Sequence, residues 1–277
     1  MIYLILAMVC SMLIAVLMRM SEKHCGGSMS MLAVNYAACL LMGVAFTGVG
    51  EVFPAAEGLP FAMGLGIVCG ALYLGGFLLM QWNTARNGVV LSATFMRLGV
   101  MVPTMLSMLI FGETPRATQL IGLAGAVCAI FLMNGKGDRT AGSIVSLVVM
   151  MLTGGTSDFM SKVYEQMGNP ALSNHFLLYI FAAALVMCAA LCIVRRQRLT
   201  GKDVLFGLII GVPNYLSAKF LLQALEQVPA VIVYPTYSVG TILLVAVVGM
   251  LCFRERLNQR KSVAMGVILA ALVLLNV

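Results

Sequence analysis

The sequence predicts an all-α integral membrane protein: ten transmembrane helices arranged as two inverted five-helix repeats. Three observations predict it. Of 277 residues, 61% are hydrophobic and 10% charged, whereas soluble domains carry ~25% charged residues. Apolar runs of about 18 to 24 residues recur from end to end, and each could cross a ~30 Å hydrocarbon layer as a helix. Polar residues also recur at a constant offset of 142.

Polar residues, Gly and Pro divide the chain into expected spans at 1–20, 30–48, 59–82, 88–111, 116–134, 142–163, 173–194, 203–225, 230–253 and 260–277. The first run is read as a spanning helix and not as a cleaved leader. It lacks a positive segment before the apolar stretch, and Arg19 follows that stretch. The runs are continuous, whereas barrel strands alternate over ~10 residues. Eight cysteines, at 10, 25, 39, 69, 128, 188, 192 and 252, show no CxxC or Cys/His ligand spacing and read mainly as small buried hydrophobes.

The formal charge of +7 is distributed as a topology signal. The odd loops gather most of the Lys and Arg, including Arg195, Arg196, Arg198 and Lys202, then Arg254, Arg256, Arg260 and Lys261. The even loops carry Glu51, Glu57, Glu113, Glu165 and Glu226. Cytoplasmic loops are enriched in Lys and Arg, so the odd loops are expected in the cytoplasm and both termini outside. No nucleic-acid surface is expected from these basic residues.

The offset of 142 pairs Tyr73 with Tyr215, Gln81 with Gln223, Thr94 with Thr236, Glu113 with Glu255 and Asn134 with Asn276. Arg19 and Glu22 align with Lys162 and Glu165 at nearly the same offset. The expected halves are 1–138 and 139–277. An odd number of helices per half inverts the second copy, which is a transporter device.

The stretches FGETPRATQLIGLAGAVCAIFLMN and ALEQVPAVIVYPTYSVGTILLVAVVGMLCFRERLNQRKSVAMGVILAALVLLNV resemble the ten-helix EamA-type branch of the drug/metabolite transporter superfamily over essentially the whole chain. The resemblance implies two EamA-like repeats and a secondary carrier without a cofactor. Its helices 1, 3, 4, 6, 8 and 9 would surround a central cavity. Small multidrug-resistance relatives carry an acid inside their first helix, and residues 1–20 contain none.

Charges inside a bilayer are functional candidates by default. Arg97 lies within VLSATFMRLGVMVPTML with no acid within ten residues on either side. Asp158 and Lys219 are expected at similar depths on helices 6 and 8, as a pair. Lys162, near a helix end, is read as a snorkelling residue. Tyr73, Tyr215, Asn214 and Tyr237 complete the candidate cavity, with Tyr234 beside them. Pro103, Pro213 and Pro235 lie inside helices 4, 8 and 9, and Gly154 and Gly155 are expected to interrupt helix 6. All five are candidate hinges. Gly122, Gly125 and Ala129, with Gly266 and Ala270, read as close-packing faces.

The expected function is secondary transport of a small organic metabolite carrying an anionic group across the cell membrane. A coupling proton or counter-substrate, the lipid bilayer, and a monomer or homodimer complete the expectation. The alternatives are a non-transporting receptor or subunit and a multidrug or cation exporter. No catalytic or metal residue is expected: no GxSxG, HExxH or paired-aspartate motif occurs, and His24 and His175 fall at opposite faces.

Overall fold

A computed structural model describes residues 1–21, 28–87, 92, 95–96, 98–134, 144–253, 263, 266–267, 269–271 and 273–274. All regular structure among them is helical. The helices are α1 (Ile2–Ser21), α2 (Ser28–Thr47), α3 (Leu59–Asn87), α4 (Met101–Ile110), α5 (Ala117–Asn134), α6 (Ile144–Met167), α7 (Ser173–Val194), α8 (Gly201–Leu225) and α9 (Ala230–Phe253). Short 3₁₀ turns occupy Val49–Glu51 and Pro170–Leu172. Among the described residues five helices, α2, α3, α7, α8 and α9, are long and apolar enough to cross a membrane.

The expected spans 173–194 and 230–253 coincide with α7 and α9, because Pro170 and Pro229 stand just before them and a basic run follows each. Two helices outrun their apolar segments. α3 continues to Asn87, where buried Asn83 donates to the carbonyls of Leu79 (2.9 Å) and Ser146 (3.2 Å) and accepts from the Ser146 hydroxyl (2.7 Å). α6 continues to Met167 and carries Asp158, Lys162 and Glu165 in its last ten residues.

Helix 4 corrects the expected continuous span 88–111: a turn at 99–100 precedes α4. Proline explains the break. Pro103 has no N–H for the carbonyl four residues back, which belongs to Gly99. That carbonyl accepts instead from Val102 N at 3.0 Å. Pro103 then sits in the first turn of α4, where its missing donor costs little. Helix 6 differs in the opposite sense. α6 runs unbroken through Gly154 and Gly155, as α8 and α9 do through Pro213 and Pro235.

The chain forms two compact units, each discontinuous in sequence. One comprises Ile2–Leu74 and Val163–Ala224; the other comprises Gly75–Lys162 and Leu225–Val277, with Met1. In the first, α2 packs along α7. Its closest crossings use glycine. A Cβ on Gly66 would meet the Phe176 carbonyl oxygen at 3.2 Å, and one on Gly70 the Ile180 oxygen at 2.5 Å. In α8, a Cβ on Gly207 would meet the Met31 oxygen at 2.8 Å, and one on Gly211 the Asn35 oxygen at 2.7 Å. Thus α3 lies backbone-close on α7 as α8 does on α2. Gly66 and Gly207, like Gly70 and Gly211, are 141 residues apart.

A buried carboxylate fixes the start of α8. Asp203 Oδ2 accepts from Thr200 N (3.0 Å), the Thr200 hydroxyl (2.7 Å) and the Ser30 hydroxyl of α2 (3.1 Å). Thr200 Oγ1 accepts from Asp203 N in return. This is a reciprocal cap with aspartate as the third-position acid.

In the second unit α9 packs on α4 and α5. Gly155 of α6 crosses the turn before α4 so closely that a Cβ would lie 2.5 Å from the Gly99 oxygen and from Val102 Cβ. Gly125 of α5 faces Ala271: a Cβ added at Gly125 would lie 3.4 Å from the Ala271 Cβ. Val239 and Ala271 form a small buried cluster with Ile242, Leu243 and Val267 against it.

Candidate functional site

In the first unit an aromatic ladder crosses from α3 to α2. Tyr73 meets Phe181 of α7 edge-on at 6.2 Å between centroids. Phe181 tilts against Tyr215 of α8 at 5.8 Å, and Tyr215 stacks on Phe46 of α2 at 5.6 Å and 9°. These are favourable aromatic separations. Lys219 ends the ladder, its Nζ 3.3 Å from the Phe46 centroid. Tyr215 and Lys219 are four residues apart on α8 and therefore share a face.

Two polar groups in this ladder are underused. Tyr215 is fully buried, and its hydroxyl has no hydrogen-bond partner among the described residues. Lys219 meets a ring face and, within its unit, no carboxylate among the described residues. Below them Asn214 donates to Asn35 Oδ1 at 3.3 Å, and the Cys39 thiol donates to the Gly211 carbonyl at 3.2 Å. Tyr73, Asn214, Tyr215 and Lys219 thus gather in one unit.

Asp158 and Tyr237 lie in the other unit. The Asp158 carbonyl accepts from the Tyr234 hydroxyl, which joins α6 to α9, and Tyr237 is half-buried on α9. Arg97 lies outside the described residues, as do Thr94, the basic residues of the ninth loop and Asn276.

Lys162 corrects a sequence expectation. It is not a snorkelling residue: it is 3% exposed, and its Nζ lies 3.1 Å from Glu113 Oε1. Glu113 leaves α4 and accepts from Ala230 N (3.1 Å) and Val231 N (3.0 Å), the first donors of α9. One carboxylate therefore caps a helix N-terminus and neutralises a buried lysine, both favourable uses of a negative charge there. A cavity of about 470 Å³ opens beside this anchor, lined by Glu113, Arg116, Gln119, Pro229 and Val231 among others.

Sequence reading also missed Phe46 and Phe181. Both lie in long apolar stretches of their helices, where an aromatic residue carries no signal until its neighbour across the interface is known. Among the described residues no group of three or more His, Cys, Asp and Glu is placed to hold a metal.

The Small Multidrug Resistance protein family matches residues 174–268. An uncharacterized protein of Haemophilus influenzae is 23% identical over 273 residues, covering 92% of this chain and 91% of the relative. One solved structure, "Crystal structure of protein", superposes with a TM-score of 0.81 over 99% of this chain and 94% of that one, at 9% identity. That likeness concerns the fold alone. The family match, with the apolar helices, points to a membrane protein of small-molecule transporter type.

Proposed function

We propose that the protein is a secondary active transporter that moves a small organic metabolite bearing an anionic group across the cell membrane by alternating access. The observation that carries this reading is the polar end of the aromatic ladder. Among the described residues of its unit Lys219 meets the Phe46 ring face and no carboxylate, and the Tyr215 hydroxyl is buried with no hydrogen-bond partner. A buried hydroxyl without a hydrogen bond costs about 1–3 kcal/mol, and a carboxylate could take a hydrogen bond from it and a charge from Lys219. Aromatic walls suit the apolar body of such a solute.

Further support comes from the family match across α7, α8 and α9 and from the glycine crossings, which recur between sequence halves as duplicated inverted repeats would require. In this reading the chain has ten spans in two EamA-like halves, and Arg97 is a separate candidate for pairing with an anionic group. Its odd loops are cytoplasmic, and a proton or counter-substrate provides the driving force.

The test is a thermal-shift screen of the purified protein with amino acids, small organic acids and nucleosides, followed by counterflow in proteoliposomes. A ligand stabilises by RT ln(1 + [L]/Kd), about 2.7 kcal/mol at a hundredfold excess over Kd. The expected hits are carboxylates whose flux saturates. Stabilisation by cations alone would overturn the anionic substrate, and binding without flux would favour a receptor. The second reading, a multidrug or cation exporter, is favoured by the Small Multidrug Resistance match itself.

A further inference from the structure

The choice between anionic and cationic solutes falls on one contact. Tyr215 and Phe181 are both fully buried, so in this conformation their ring faces are closed to a solute, whereas Phe46 is 43% exposed. Its ring is covered by the Lys219 ammonium at 3.3 Å. Aromatic faces attract cations of any origin, lysine or ligand. Lys219 is tethered four residues from the tyrosine that stacks on the same ring, so its local concentration there exceeds that of any solute.

We infer that Lys219 is the specificity-determining residue of the transport site: its ammonium fills the Phe46 face as an internal cation, excludes lipophilic organic cations, and favours solutes bearing a carboxylate. The inference rests on the transport reading above. Two features of lysine suit it to the task. The ammonium stays on the ring while the site is empty, which compensates a charge held among apolar helices. Its flexible four-carbon stem lets it leave the ring for a carboxylate, as an arginine fixed by planar stacking would not. A neutral side chain of similar length and no charge, methionine, would leave the ring open.

The test is equilibrium binding of radiolabelled tetraphenylphosphonium to the full-length protein in detergent. The wild type, Lys219→Met, Lys219→Arg and the double variant Lys219→Met/Phe46→Leu are compared, each checked for an unchanged melting transition. Lys219→Met is expected to bind the cation about tenfold more tightly than wild type, within the range of one cation–ring contact. Lys219→Arg should stay as weak as wild type, and Phe46→Leu should erase the gain. Equal binding by wild type and Lys219→Met, or a gain that survives loss of the Phe46 ring, overturns the inference. If Lys219→Met does not fold, Lys219→Gln removes the same charge while keeping a polar tip and is read by the same criteria. Flux of a carboxylate by the wild type is measured separately. Flux without gained cation binding sinks the inference and spares the transport reading; gained binding without any flux does the reverse.

Discussion

Lys162 illustrates how a single side chain changes meaning when its neighbours appear. Its position near the end of an apolar run is compatible with a stem reaching for the interface. In the folded chain it is buried against Glu113, whose carboxylate also accepts from two backbone donors of α9. Removing one member of a buried pair leaves the other desolvated, at a cost of ~3–5 kcal/mol. Glu113 keeps its two backbone donors, so Lys162→Met is expected at the low end, about 3 kcal/mol. Glu113→Gln should cost as much or more, because it strands Lys162 and weakens the cap. The double variant should be less damaging than the sum of the singles. Chemical unfolding in detergent measures all three, and strict additivity would show that the two side chains do not interact. The acid was legible in the sequence as a repeat-related turn residue, but its partner was not. Residues 113 and 162 are brought together only by the packing of α4, α6 and α9.

At the scale of an element, sequence patterns located helices well and misread what their small residues do. Helix starts follow Pro, Asn and Thr punctuation, so α7, α8 and α9 were legible to within two residues. The pair Gly154–Gly155 reads as an interruption because glycine lowers helix propensity by ~1 kcal/mol relative to Ala. α6 nevertheless passes through both, and their surroundings differ. Among the described residues a Cβ at Gly154 would meet nothing within 4 Å, whereas one at Gly155 would run into the Gly99 carbonyl and Val102. Glycine at 155 is therefore a packing requirement set by the proline-induced turn before α4. Gly155→Ala is expected to destabilise by about 1–3 kcal/mol, as overpacking does. Gly154→Ala should be neutral or stabilising by up to ~1 kcal/mol. Paired thermal melts of the two variants check this, and equal effects at the two sites would refute the crossing as the reason. Nothing in one sequence distinguishes these neighbours, since the distinction lies in a different helix.

At the scale of the whole molecule, the expected halves 1–138 and 139–277 differ in kind from the two compact units. The halves are a statement about duplication, whereas the units are a statement about packing, and each unit draws on both halves. The bonds that hold the units cross the midpoint of the sequence. Ser30 donates to Asp203, the Cys39 thiol to the Gly211 carbonyl, and Asn214 to Asn35. Gly66 and Gly70 lie against α7, Gly207 and Gly211 against α2. Glu113 holds both Lys162 and the start of α9. A half expressed alone would thus expose the glycine faces of α3 or α8 and leave Asp203, Glu113 or Lys162 short of a principal partner. In lipid such faces gain nothing from a hydrophobic drive between helices and depend on close packing and polar contacts. Fragments 1–138 and 139–277 are therefore expected to be polydisperse and protease-sensitive when expressed singly, and to form one compact, cooperatively melting complex when co-expressed. Size-exclusion chromatography with limited proteolysis reads the result. A monodisperse, protease-resistant 1–138 fragment with its own sharp thermal transition would mean that a half can supply its own core, and that the crossing contacts decorate the fold without holding it.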